Sequence, residues 1–271
     1  NIGMSKSASN ARTAIVVGGS SGIGCETILR LTESGWNVFN VSRTPCINIK
    51  VNNVCADISC GEEAYKSIKL IAEEHGADLL IYSAGCSMAA PIEYAKESDY
   101  RYLFEVNFFG ALKTVQTVVP YMKRGGGRII LVGSLGGDIP IIFDSFYSAS
   151  KAALEMLARG ANQELKNYGI KVTALLPGGT ATGFTYKRKI YSDDASGGYA
   201  KNLNKAVDAL AKIEQGGMSA SAVADDMYKV INADNPPLIK TCGAKNTAYR
   251  ILSRVLPEKL TLYMTEKRYG Q

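Results

Sequence analysis

The sequence predicts an α/β fold, a doubly wound parallel sheet of about seven strands with helices on both faces, and two features of the chain predict it. Short β-branched runs alternate with longer segments of helical period, the pattern of βαβ units whose crossover helices cover both sides of a sheet. A glycine-rich turn joins the first run to the first helical segment, the place where open sheets of this kind bind ligands. With 271 residues the chain is expected to fold as a single domain.

Taken in order, strands are expected at Ala14 to Val17, Asn37 to Val41, Val51 to Val54, Asp78 to Tyr82, Arg128 to Val132, Lys171 to Leu175 and Leu238 to Thr241. Helical period places helices at Gly22 to Ser34, Glu62 to Glu74, Tyr100 to Lys123 and Ser148 to Tyr168, the last with Ala152, Leu154, Leu157 and Ala161 on one packing face. Thr180 to Gly217 departs from the alternation. It follows a strand end, carries Tyr186, Tyr191 and Tyr199 among basic residues, and offers Gly197-Gly198 and Gly216-Gly217 as hinges. It is the expected substrate lid, residues 183–217, set between a core of residues 13–182 and a C-terminal extension of residues 242–271.

Lys and Arg are interleaved with acidic residues over most of the length, so the formal charge of +6 makes no stripe for nucleic acid. The exception is the basic tail from Lys240 to Arg268, with Ile251, Leu252, Val255 and Leu256 near helical spacing. A helix or loop docked against its own domain is expected there, with a membrane-surface helix as the alternative. Cys25, Cys46, Cys55, Cys60, Cys86 and Cys242 form no C-x-x-C pair, and no signal peptide opens the sequence. Reduced thiols and a cytoplasmic location follow as expectations. His75 is the one histidine, which excludes a His-rich metal site; no metal is expected, and His75 is read as a surface residue.

The first strand runs into Val17-Gly18-Gly19-Ser20-Ser21-Gly22-Ile23-Gly24. Without Cβ atoms the chain can turn tightly and bring backbone N–H groups against a pyrophosphate, while the helix behind it offers its positive end. A dinucleotide suits that geometry, although a lone turn of this kind also serves strand-to-helix packing. The second strand ends Ser42-Arg43-Thr44, where such a fold presents the adenosine ribose. Arg43 with Ser42 and Thr44 can hold a 2′-phosphate by charge-assisted bonds, whereas a carboxylate would hold a free 2′-hydroxyl, so NADP(H) is expected over NAD(H). A surface arginine is the plain alternative. Tyr147 and Lys151 stand at i and i+4, on one face of a helix. Near neutrality a phenol exchanges protons only if its phenolate is stabilised, and an adjacent ammonium can do that. Such a pair also arises by chance on a surface.

These motifs together resemble the short-chain dehydrogenase/reductase family, a single-domain Rossmann fold. The turn is similar to the family's T-G-x-x-x-G-x-G, with Val17 in place of Thr. Ser134 lies thirteen residues before Tyr147, as the catalytic serine does there. Asn107 matches the helix asparagine that helps hold a water leading from the lysine to solvent. Asp57, followed by Ile58, stands where a carboxylate contacts the adenine amino group. Tyr82-Ser83-Ala84-Gly85 stands where N-N-A-G is typical, so both asparagines are missing. Pro177-Gly178-Gly179-Thr180-Ala181-Thr182 resembles the P-G-x-x-x-T segment that meets the nicotinamide carboxamide.

The resemblance implies hydride transfer between NADP(H) and a ketone or secondary alcohol. Tyr147 would hand over the proton, Lys151 would bind the nicotinamide ribose and Ser134 would position the substrate oxygen. The four-residue Tyr-to-Lys interval argues for ketone chemistry over that of enoyl reductases. The run from Pro236-Pro237 to Tyr269-Gly270 looks like the ends of 17β-hydroxysteroid dehydrogenase-like members, which favours a steroid- or lipid-like substrate, with the lid tyrosines as contacts. A 3-oxoacyl-thioester reductase, served by Lys187 and Arg188, is the alternative within enzymes. A silent NADP(H)-binding regulator is the alternative outside them, against which the intact Ser134, Tyr147 and Lys151 speak. Self-association as a homodimer or homotetramer through the helices of Asn107 and Tyr147 is also implied.

Overall fold

The structure, a computed structural model, describes residues 11–47, 50–191 and 197–269. Seven strands make one parallel sheet: β1 (Thr13–Val17), β2 (Asn37–Ser42), β3 (Asn52–Cys55), β4 (Leu79–Tyr82), β5 (Gly127–Val132), β6 (Ile170–Leu176) and β7 (Ile239–Thr241). Their order is β7-β6-β5-β4-β1-β2-β3, so the chain leaves β1 in one direction for β2 and β3 and in the other for β4. A cleft opens at the carboxyl ends of the strands where the order reverses. All seven expected strands are present, each with its ends moved by no more than two residues.

The helices are α1 (Gly22–Glu33), α2 (Glu63–His75), α3 (Glu97–Phe104), α4 (Gly110–Met122), α5 (Ser145–Leu165), α6 (Ala200–Gln215), α7 (Ala220–Asn232), α8 (Ala244–Val255) and α9 (Glu258–Arg268). Alternation along β1 divides the core. Ile15 and Val17 pack with Ile68 of α2, Val118 of α4 and Leu154 of α5, while Ala14 and Val16 pack with Ile28 and Leu31 of α1 and Val223 and Met227 of α7. Each such aliphatic side chain removed from water contributes roughly 1.5–3 kcal/mol, so a sheet buried on both faces locks the strand ends in place.

Two helices differ from expectation in ways that matter for the site. The helix expected from Tyr100 to Lys123 begins at Glu97 and is interrupted by a π turn, Glu105–Phe109, between α3 and α4. The Tyr82 hydroxyl donates to the Val106 carbonyl at 2.5 Å, and this outside donor accompanies the extra residue in the helical ladder. The helix expected from Ser148 begins at Ser145, which places Tyr147 in its first turn, and ends at Leu165 before a 3₁₀ turn, Lys166–Tyr168.

The tail is helical and docked. Arg250 of α8 pairs with Asp138, and with Glu155 at 3.2 Å, while Tyr269, after α9, packs against Ile141, Ala206 and Leu210. Among the described residues no helix is long and apolar enough to cross a membrane. His75 ends α2 with its ring stacked on Phe39, centroids 4.8 Å apart.

Candidate active site

A cavity of about 430 Å³ occupies the cleft at the reversal of strand order. Its wall gathers residues from the ends of β1 to β6 of the central sheet. Gly18, Ser20, Ser21, Gly22 and Ile23 come from the turn after β1; Ser42, Arg43 and Thr44 from the end of β2; Asp57 and Ile58 from the segment after β3; Ser83, Ala84 and Gly85 from the end of β4. Ser134 follows β5, Tyr147 and Lys151 lie on α5, and Pro177, Gly178, Thr180 and Thr182 follow β6. Two expected site residues stand outside this wall. Gly24 is a packing residue, since a Cβ there would lie 2.4 Å from the Gly18 carbonyl oxygen. Asn107 is buried behind the wall.

The turn is held by a residue that sequence reading passed over. Asn40, buried in β2, accepts a hydrogen bond from Gly19 N–H at 3.0 Å through Oδ1 and donates to Asn53 Oδ1 at 2.9 Å. An amide in the apolar run between Phe39 and Val41 was the available signal, because a buried amide needs partners. Ser21 caps α1 without a side-chain hydrogen bond, so no capping side chain shields the helix's first N–H groups, the kind of donors that receive a phosphate. At the other end of this half, the Arg43 guanidinium reaches the Tyr102 hydroxyl at 3.4 Å. Burial alone would raise the Asp57 carboxyl. Hydrogen bonds from Ser59 and the charge of Arg43 outweigh it and hold the group below the usual carboxylate range.

Tyr147 and Lys151 face the same space one helical turn apart, with the Lys151 ammonium 5.8 Å from the phenol ring centre. Lys151 Nζ donates to the Val132 carbonyl at 2.8 Å, and burial pushes its pKa down to about 8. Burial likewise drives the Tyr147 phenol well above its ordinary value, opposed by a hydrogen bond with Ser134. Ser134 Oγ also accepts from Gly136 N–H at 3.0 Å, which fixes the hydroxyl at the strand end. Asn107 gives both amide hydrogens to the Cys86 carbonyl and to Ser150 Oγ, each at 2.9 Å, and accepts from Cys86 N–H at 2.8 Å. It therefore ties the π turn to the backbone beside Lys151.

Next to Tyr147 lies a buried charge cluster with no counterpart in the sequence reading. Arg188 pairs with Glu214 at 2.5 Å and stands 3.8 Å from Asp144. Ser87 donates to Asp144 Oδ2 at 2.7 Å and accepts from Arg188 Nε at 2.9 Å. Burial pushes Asp144 up to about 7 despite these partners. The charge of Arg188 is thus paired inside the protein, although Arg188, like Lys187, lines the cavity.

The expected lid residues need correction as well. None of Tyr186, Tyr191 and Tyr199 lines the cavity. Tyr186 is exposed, Tyr191 is buried with its hydroxyl on Asp99 at 2.7 Å, and Tyr199 reaches Glu93 at 3.2 Å. Phe184, Leu210, Ile213, Tyr249 and Tyr269 stand at the cavity instead, with Ile139 and Ile141. Gly217 is pinned, since a Cβ there would lie 1.9 Å from the Gly179 carbonyl oxygen; close packing, not hinge freedom, requires glycine at that position. Part of the expected lid, residues 192–196, lies outside the described residues.

Comparison with known proteins meets this geometry. The 3-ketodihydrosphingosine reductase of Bacteroides thetaiotaomicron is 32% identical over 233 residues, 84% of this chain and 87% of that protein. Human 17-beta-hydroxysteroid dehydrogenase type 2 is 28% identical, covering 96% of this chain and 74% of its own length. A solved short chain dehydrogenase from Burkholderia cenocepacia, in complex with NADP, shares the fold at a TM-score of 0.73 and 22% identity, covering 96% of this chain and 98% of that one. Residues 12–191 match the family model for short chain dehydrogenases, and they contain the turn after β1, the strand ends and the Tyr147–Lys151 pair; the chain belongs to the short-chain dehydrogenase/reductase family of oxidoreductases.

Proposed function

We propose that this protein is an NADP(H)-dependent carbonyl reductase and alcohol dehydrogenase that interconverts a hydrophobic ketone, of steroid or lipid type, with its secondary alcohol. One observation carries the reading: Ser134, Tyr147 and Lys151 line the same cavity as Arg43, Ser42 and Thr44. The turn after β1 and the uncapped start of α1 fit a pyrophosphate, and the basic, hydroxyl-rich end of β2 fits a 2′-phosphate. Ser83, Ala84, Gly85, Pro177, Gly178, Thr180 and Thr182 also line the cavity, the last four where they would meet the nicotinamide.

When bound, the cofactor supplies or accepts the hydride at C4 of its nicotinamide. In the reductive direction the Tyr147 hydroxyl gives its proton to the carbonyl oxygen, which Ser134 holds by a second hydrogen bond. Lys151 binds the ribose hydroxyls and places its ammonium where the phenolate forms, and Asn107 positions the backbone beside it. Beside the paired Asp144, Arg188 and Glu214, the cavity wall near Tyr147 carries the apolar side chains of Ile139, Ile141, Phe184, Leu210, Ile213 and Tyr269. The apolar part of a hydrophobic ketone fits these side chains. The names of the Bacteroides and human relatives support a lipid-type substrate. Self-association as a homodimer or homotetramer through α4 and α5, whose flanks expose Phe109 and Met156, and a cytoplasmic location belong to the same reading.

Titration of NADPH and NADH against the protein, read by the cofactor's own fluorescence, tests it. Trp36 suits this poorly, because it precedes β2 at the end of the sheet away from the cavity, under Arg12 at 4.1 Å. NADPH is expected to bind more tightly, and Arg43→Asp to weaken it by about tenfold to a hundredfold, the weight of a charge-assisted phosphate contact. Equal or tighter NADH binding overturns the cofactor assignment. A second expectation concerns pH. Asp144 and Glu214 raise the Tyr147 phenol and Arg188 lowers it. Asp144→Asn should therefore move the rising limb of alcohol oxidation, which needs the phenolate, to lower pH by about half a unit to one unit. A limb that stays in place shows that the carboxylate is not coupled to the phenol.

A further inference from the structure

Helix α8 is amphipathic with its faces reversed. Its polar residues serve the fold: Asn246 donates to the Cys242 carbonyl at 2.9 Å, Thr247 to the Gly243 carbonyl at 2.9 Å, and Arg250 pairs with Asp138 and Glu155. Its apolar residues Ala244, Ala248, Ile251, Leu252 and Val255 recur three or four positions apart, so they form one stripe, and all are exposed. Ile251 is 59% exposed, Leu252 44% and Val255 78%. Helix α9 adds exposed Leu260 and Tyr263. A helix that spends its polar side on its own domain and leaves a continuous aliphatic stripe in water has that stripe available for something else.

The charge of the chain is concentrated on the tail that contains this helix, where Lys240, Arg250 and Arg254 pair with Asp226, Asp138 and Glu155. From Lys240 to Arg268 there are seven basic residues and two acidic ones, which accounts for five of the six net positive charges. The remainder of the chain is nearly neutral. Lys245 and Lys259 are exposed and make no ion pair among the described residues.

We propose that α8 and the start of α9 lie in the plane of an anionic lipid surface, with Ile251, Leu252 and Val255 in the apolar boundary and Lys245 and Lys259 at the level of the headgroups. An aliphatic stripe flanked by cations is what such a surface binds. A second copy of the chain is a poorer partner, because two-fold pairing on this stripe would set the same cations against each other. Nucleic acid would engage the cations and leave the aliphatic side chains without a role. Tyr249 of α8, Arg268 of α9 and the adjoining Tyr269 line the cavity, so the docked element is also a wall of the site. The proposal stands on this surface alone and does not depend on the identity of the substrate.

The test is sedimentation of the full chain with vesicles of phosphatidylcholine alone or mixed equally with phosphatidylglycerol. Binding is expected to the mixed vesicles, weakened by added salt. It should fall by about tenfold or more in Ile251→Glu/Val255→Glu and in Lys245→Glu/Lys259→Glu, since each pair removes one of the two attractions. Because these side chains are exposed, the thermal midpoint should not move, and that measurement shows that the variants remain folded. No sedimentation with the phosphatidylglycerol vesicles, or equal sedimentation of wild type and both variants, overturns the proposal. So does a solution mass that drops in Ile251→Glu/Val255→Glu, which would show a second copy covering the stripe.

Discussion

Tyr147→Phe is expected to reduce turnover by about a thousandfold, within the span found for removing a general acid, while leaving NADPH affinity nearly unchanged. The substitution removes one oxygen and keeps the ring, whose centre lies 5.9 Å from that of Phe184. Lys151 keeps its anchor on the Val132 carbonyl, so the ribose contact proposed for it survives. What disappears is the proton that the carbonyl oxygen must receive, together with the hydrogen bond linking the phenol to Ser134. Steady-state rates on a panel of steroid and sphingoid ketones, beside a fluorescence titration of NADPH, separate the two effects. Unchanged turnover would remove Tyr147 as the proton donor. Loss of NADPH binding together with turnover would show that the hydroxyl supports the cavity's shape.

The parts of the molecule legible in the sequence were those whose cause is local. β1 and β4 are short apolar runs whose neighbours are turn residues, and a strand buried on both faces must read that way. The turn from Gly18 to Gly24 and the Tyr147–Lys151 interval are likewise contained within a few residues. The π turn at Glu105–Phe109 escaped because one added residue hardly disturbs a helical period, and its partner, Tyr82, lies on another element. α6 was within reach: Leu203, Ala206 and Leu210 are buried at helical spacing. The rings of Tyr186, Tyr191 and Tyr199 suit a lid contact, yet side-chain direction decides contact, and three tyrosines on a segment without a settled register carry no direction. Asp144, Arg188 and Glu214 form the clearest omission. They lie far apart in the chain, no spacing rule joins them, and only the tertiary placement of Arg188 and of Glu214 on α6 beside Asp144 brings the charges together.

That cluster leads to the second large effect, which is on stability. Arg188→Met is expected to cost about 3–5 kcal/mol, the usual consequence of leaving buried charge without its partner. For a chain of this size the loss corresponds to a melting temperature lower by roughly 10 °C. The arginine and Asp144 side chains are each 2% exposed, so water cannot replace the missing guanidinium. Methionine fills much of the volume, which makes the deficit electrostatic more than steric. The sign of the pH dependence follows from Asp144, whose carboxyl is pushed from its ordinary 3.8 up to about 7 in the folded chain. Between those values the folded state binds a proton that the unfolded state has lost, so stability falls as pH rises through the window. Without Arg188 the carboxyl has one attraction fewer. The deficit of Arg188→Met should therefore be smallest in mild acid, where Asp144 is protonated, and deepen as pH rises past neutrality. Adding Asp144→Asn or Glu214→Gln to Arg188→Met should recover part of the loss, because each removes a carboxylate that has no remaining cation. Thermal melts of the single and double variants on both sides of neutrality check the whole chain of reasoning. An Arg188→Met variant as stable as the parent, or one indifferent to pH, would mean that these charges are solvated and that α6 is held beside α5 by its apolar contacts alone.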